Sequence, residues 1–280
     1  MDIIKFLDGF TTDKLTARMS SRRGALATLG IFGAQALMAA APCFRTASGK
    51  EALKQSNTDV VNALQLALIL EYLEAEFYIK ALQSGVLPNG RPEAVYMQIS
   101  KHETAHVEFL KAGLEGAGVE PVLKPEFDYT AGGAFAPFDT ANDNAYLQLL
   151  TLAQAFEDTG VRAYKGQAGN LQGTPFLMPA LRIHSVEARH AAEIRRLRAG
   201  FLDIPLNEDT LPWITLDNRG LGMPPITQPV YDGEEQVVQG GVNLVDITEF
   251  GPVEVSQSYD EPLATPEVIK IIAPFLGCKE

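Results

Sequence analysis

Glu103-Thr104-Ala105-His106 and Glu187-Ala188-Arg189-His190 repeat one spacing, a carboxylate followed three residues later by an imidazole. On a helix that spacing puts both side chains on one face. Each stretch sits inside an apolar stripe of alternating three- and four-residue steps, the face that a bundled helix turns inward. One stripe is Val95, Ile99, Glu103, His106, Leu110, and another is Phe176, Ala180, Ile183, Glu187, His190, Ile194, Leu197. Two further stripes carry acids without a histidine: Val60, Leu64, Ala67, Glu71, Glu74, Tyr78, Leu82, and Tyr146, Leu150, Ala153, Glu157, Gly160, Tyr164. Carboxylates thus interrupt every inward face midway, where an unpaired charge is costly or must take up a proton.

The chain around these stripes divides into four helices. Thr58 to about Ser84 is nearly free of Gly and Pro and ends at Gly85-Val86-Leu87-Pro88-Asn89-Gly90. A second helix starts near Pro92, a residue suited to a first turn, and runs to the glycines at 113, 116 and 118. Residues 119–140 are rich in proline and without periodicity, too long for a tight hairpin, and read as a crossover. The third helix spans roughly Ala141 to Gln167, and Thr174-Pro175 opens the fourth, which ends near Gly200. Short, long, short connections predict an all-α four-helix bundle with a long crossover between its second and third helices. The predicted organisation is an N-terminal segment over 1–48, the bundle over 49–205, and an irregular extension over 206–280 that closes in a short helix after Thr265-Pro266.

Depth along the helices brings the acids together. Glu71 lies 13 residues before Ser84 and Glu103 about as far beyond the turn. At ~1.5 Å per residue both sit ~20 Å from the same end. Glu157 and Glu187 have similar offsets from their own turn, and the second half repeats the first: Glu71 to Tyr78 and Glu157 to Tyr164 are both seven residues. No Lys or Arg occupies these stripes at that level. Two divalent cations would neutralise such a layer.

The stretches Leu70-Glu71-Tyr72-Leu73-Glu74-Ala75-Glu76-Phe77-Tyr78, Glu103-Thr104-Ala105-His106, Phe156-Glu157 and Ser185-Val186-Glu187-Ala188-Arg189-His190 resemble the ferritin-like superfamily, and within it the exported, desiccation-related branch; Tyr259-Asp260-Glu261-Pro262-Leu263 resembles that branch too. The resemblance implies a ferritin-like bundle holding two iron or two manganese ions per chain. Glu103 and Glu187 would bridge them, Glu71 and His106 would complete one shell, and Glu157 and His190 the other. Such a centre implies redox chemistry on Fe(II), dioxygen or peroxide. Tyr78 and Tyr164 are candidates to hydrogen-bond the ligands or supply electrons, with aromatic packing an equal alternative. Glu74 reads as an auxiliary carboxylate, His184 as a core or outer group, and Arg195, Arg196 and Arg198 as partners of a helix dipole.

Other classes weigh less. His102-Glu103-Thr104-Ala105-His106 matches the zinc-protease pattern, but leaves Glu71, Glu157, Glu187 and His190 unexplained. A scaffold or stress-protective protein with a structural metal is the non-enzymatic alternative. With 23 Lys and Arg against 35 Asp and Glu, a net −12, and no basic stripe, nucleic acid is an unsuitable partner. Cys43 and Cys278 lie at opposite ends and build neither a disulfide framework nor a thiolate metal site. Arg22-Arg23 before the apolar run 25–41 predicts export to the periplasm or outside the cell by the twin-arginine route, with membrane anchoring as the alternative. Trp213 and Tyr231 read as packing anchors, and the last helix as packing on the bundle or on a second copy in a homo-oligomer.

Overall fold

The computed structural model describes residues 55–205 and 211–277, with side chains from Thr58. The twin-arginine segment, the run 25–41 and both cysteines lie outside the described residues. Four long helices form the body: α1 (Gln55–Gln83), α2 (Arg91–Gly116), α3 (Ala145–Gln167) and α4 (Leu177–Phe201). They pair as two hairpins, α1 with α2 and α3 with α4. The bundle and its long crossover are therefore as expected from the stripes. The starts of the third and fourth helices fall a few residues later than the sequence suggests, because Ala141–Asn144 and Thr174–Phe176 are held in turns: the Asn142 carbonyl accepts from Ala145 N–H and the Leu171 carbonyl from Thr174 N–H.

The crossover runs as an ordered strap along α1. The Gln65 amide donates to the Glu120 carbonyl (2.8 Å) and accepts from Val122 N–H (2.7 Å). Tyr129 Oη donates to the Leu73 carbonyl at 2.7 Å. The C-terminal extension returns to the same strap, where Asp128 N–H donates to the Phe275 carbonyl and Gly277 N–H to that of Glu126, each 2.8 Å.

The extension holds a two-residue-stranded hairpin, β1 (Val238–Gln239) and β2 (Val242–Asn243), and two short helices, α5 (Pro252–Ser256) and α6 (Thr265–Ile272). The apolar side of α6 packs on its own chain: Val268, Ile272 and Phe275 are buried, and the Phe275 ring meets Phe156 edge-on at 5.0 Å. Because the extension covers it, α3 is buried on all sides, polar residues included. Gln154, Asp158 and Arg162, one turn apart, face the extension and bond to it. The Gln154 amide donates to the Arg219 carbonyl and Tyr231 Oη, both at 3.1 Å. Asp158 accepts from Tyr231 Oη at 2.8 Å and pairs with Arg195 of α4 at 2.5 Å. Arg162 donates to the carbonyls of Glu261 and Asp232 and pairs with the buried Glu234 carboxylate at 2.6 Å.

Two expectations are corrected by this packing. Arg195 and Arg198 are buried, Arg195 in its pair with Asp158 and Arg198 against the Leu221 carbonyl, so tertiary partners replace the helix dipole as the reason for their place. Of the two aromatic anchors only Tyr231 is one. Trp213 is 48 % exposed.

Candidate metal centre

The four stripes deliver their acids to one layer. One atom each of Glu71, Glu103, His106 and Glu187 lies within 4.8 Å of the others, and the same holds for Glu103, Glu157, Glu187 and His190. The groups share Glu103 and Glu187, the two residues expected to bridge. His106 Nδ1 stands 3.2 Å from Glu71, 3.1 Å from Glu103 and 3.2 Å from Glu187. His190 Nδ1 stands 2.9 Å from Glu103, 3.2 Å from Glu157 and 3.4 Å from Glu187. The tyrosines cross between the halves: Tyr78 Oη of α1 donates to Glu157 Oε1 of α3, and Tyr164 Oη of α3 donates to Glu71 Oε1 of α1. Each fixes one oxygen of a terminal carboxylate and leaves the other turned to the centre. Both phenols hydrogen-bond the carboxylates, and Tyr78 also packs edge-on against Phe77 and Tyr96.

A fifth carboxylate, Glu74, is buried beside the layer. Room for it comes from Gly160 of α3, where a Cβ would lie 3.3 Å from Glu74 Oε1 and 3.4 Å from Glu187 Cγ. Glu74 is in neither four-residue group. His184 Nδ1 lies 2.9 Å from the Val161 carbonyl, which makes it an α3–α4 contact.

Electrostatics show what the cluster lacks. Burial, then the charges of Glu187, Glu157, Glu103 and Glu71, push the Glu74 carboxyl well above the usual range. Burial with Glu187 and Glu71 does the same to Glu103, and burial lifts Glu157 to about 7. Against the cost of burial, the Glu103, Glu187 and Glu71 carboxylates raise His106 to about 12, and those of Glu157, Glu103 and Glu187 also raise His190. Glu187, facing both imidazoles, is held down at about 2 in spite of its burial. Among the described residues no Lys or Arg pairs with these carboxylates, and protons on the imidazoles and carboxyls are the counter-charges. They satisfy the site poorly: Glu103 Oε1 and both oxygens of Glu187 are buried and meet the imidazoles at 2.9 to 3.4 Å without a well-formed hydrogen bond. Hard oxygen donors with one imidazole per group, and shared carboxylates whose buried oxygens lack a well-formed hydrogen bond, fit a metal site.

His102 is the residue that sequence reasoning considers only as a zinc ligand. It belongs to neither four-residue group. Its Nδ1 lies 2.8 Å from His190 Nε2 instead, behind the imidazole. The available signal was its place one turn before His106 on the face toward α4, but a position on a helical wheel does not name the residue across the interface.

A model of the ferritin-like domain matches residues 59–200, just over half of the chain. No curated protein matches it. The matched stretch begins in α1, ends in α4 and contains all six clustered residues. By that match, and with a bundle and crossover of the corresponding form, the chain belongs to the ferritin-like domain family.

Proposed function

We propose that Glu71, Glu103, His106, Glu157, Glu187 and His190 hold two iron or manganese ions, and that the chain is a redox protein acting on Fe(II), dioxygen or peroxide. The observation that carries this reading is the sharing of Glu103 and Glu187 between two otherwise separate four-residue groups. Bound there, the metal pair supplies one-electron steps toward an oxidant. The chain supplies the rest. Tyr78 and Tyr164 hold the terminal carboxylates in place, Nδ1 of each histidine points inward, and burial of all four glutamates excludes bulk water. An apolar cavity bounded by Ala63, Ala67, Leu70 and Phe109 reaches Tyr164, the phenol on Glu71. Its lining suits entry of a small, weakly polar oxidant.

Export belongs to the same proposal. Arg22-Arg23, the run 25–41 and the likeness to the desiccation-related branch support a stress-protective protein outside the cytoplasm. None of the described helices is long and apolar enough to cross a membrane. A homo-oligomer would need a surface other than the buried side of α6.

The test is elemental analysis of the chain after anaerobic reconstitution with Fe(II) or Mn(II), beside a Glu103→Ala/Glu187→Ala variant. Two ions in the parent and almost none in the variant are expected, followed by oxidant turnover. A parent that folds as a helical bundle without binding metal sinks the redox reading. Two bound ions with no turnover would leave a structural metal in a scaffold.

A further inference from the structure

We infer that His102 is a positioning residue for His190, and that it makes the two metal positions unequal. The inference rests on the metal reading above. His190 turns Nδ1 toward Glu103, Glu157 and Glu187, so that nitrogen is the one able to bind a cation. A neutral imidazole that gives up its Nδ1 lone pair must carry its proton on Nε2. The atom facing Nε2 is His102 Nδ1, at 2.8 Å. The two rings are within 13° of parallel with centroids 5.1 Å apart. That separation exceeds the N···N distance by about two ring radii, so the rings lie edge to edge and the His102 lone pair points along the His190 N–H.

Accepting at Nδ1 places the His102 proton on Nε2, which lies 2.6 Å from the Gln98 amide nitrogen, so this tautomer needs the Gln98 amide turned to present its oxygen. An amide offers an acceptor oxygen or a donor NH2 by a half-turn, so Gln98 can end the chain in either polarity. His190, His102 and Gln98 thus form a line of three side chains from the centre to the exposed face of α2, in which His102 holds the His190 ring with Nδ1 turned inward.

His106 has no equivalent. Its Nδ1 also faces three carboxylates, yet among the described residues nothing hydrogen-bonds its Nε2. The repeated halves explain the difference. Glu103 corresponds to Glu187 and His106 to His190, which makes Val186 the counterpart of His102, and a valine accepts no hydrogen bond. The repeated spacing covers the six clustered residues and not the group behind them.

An outer partner of a ligating histidine typically contributes a factor of ~10–100 to metal affinity. The experiment is Co(II) titration of the full chain, followed by visible absorption and by equilibrium dialysis with elemental counting. Parent, His102→Phe and His102→Gln are compared, with the thermal midpoint of each metal-free protein. Phenylalanine keeps a planar ring and removes the acceptor; glutamine restores an acceptor oxygen. The parent should bind two Co(II). In His102→Phe one ion should keep the parent affinity and the other weaken ~10–100-fold, with His102→Gln near the parent and metal-free midpoints unchanged. Parent-like binding of both ions by His102→Phe overturns the inference, as does equal weakening of both together with a lowered metal-free midpoint, which would make His102 a packing residue. A parent that binds no Co(II) overturns the metal reading itself, a distinct result.

Discussion

Replacing Gly166 by alanine should loosen the extension from the bundle. A Cβ built on Gly166 lies 1.9 Å from the Leu263 carbonyl oxygen and 2.8 Å from its carbon. Ordinary non-bonded contact is ~3.5–4 Å, so the gap must open by ~1.5 Å. Backbone meets backbone here, and no rotamer change can relieve it. The segment around Leu263 must lift, which strains the Leu263 N–H bond to the Arg162 carbonyl (3.1 Å), the Arg162 bond to the Glu261 carbonyl (2.9 Å) and the Lys165 bond to the Asp260 carbonyl. Overpacking of this kind costs about 1–3 kcal/mol, and each weakened hydrogen bond adds ~0.5–1.5 kcal/mol. Against this, Gly→Ala inside a helix gains up to ~1 kcal/mol. The net expectation is ~2 kcal/mol or more of destabilisation, read as a lower urea midpoint of the metal-free protein and faster proteolysis of 206–280. Gly200→Ala in α4 is the control, because a Cβ there meets nothing within 4 Å. It should be neutral or stabilising by up to ~1 kcal/mol. Gly166→Ala as stable as the parent, with the extension equally protected, would refute the reasoning.

Three further expectations concern the buried charges. Asp158→Asn leaves the Arg195 guanidinium buried without its 2.5 Å partner and should destabilise by about 3–5 kcal/mol in chemical denaturation, most of it recovered in Asp158→Leu/Arg195→Met; a loss under ~1 kcal/mol would contradict the buried-pair account. Tyr78→Phe should weaken the ion held by Glu157 and His190, and Tyr164→Phe the ion held by Glu71 and His106, each by ~10–100-fold in Mn(II) titration, and an effect on the opposite ion would show that the crossed bonding is misread. In the metal-free protein, His106 is raised to about 12 from 6.5, so its stabilisation is complete below pH 6.5 and is lost as pH rises toward 12; Glu187, lowered to about 2 from 4.5, stabilises above pH 4.5 and loses this as pH falls toward 2. The thermal midpoint without metal should therefore fall as pH rises above 6.5, after an earlier loss between pH 4.5 and 7 from Glu157, which is raised to about 7 from 4.5, while metal affinity rises from pH 6 to 8 because binding displaces those protons. Metal affinity that is flat from pH 6 to 8 would contradict a proton-filled site.

Much of the architecture is legible along the chain because its cause is periodic. The stripes through Glu71, Glu103, Glu157 and Glu187 follow helical geometry, and equal distances from the two short turns place them in one layer before any tertiary contact is considered. The six clustered residues are readable for the same reason. What only the tertiary structure decides is what each face meets. Gln154, Asp158 and Arg162 form a polar stripe that the extension buries, because carbonyls, Tyr231 and Glu234 from far along the chain, with Arg195 of α4, supply its partners. The crossing of Tyr78 to Glu157 and Tyr164 to Glu71, and the edge-to-edge approach of His102 to His190, likewise join residues 79, 93 and 88 positions apart. Periodicity assigns a side chain to a face of its own helix, and contacts between faces depend on how helices from distant segments rotate against one another when they pack.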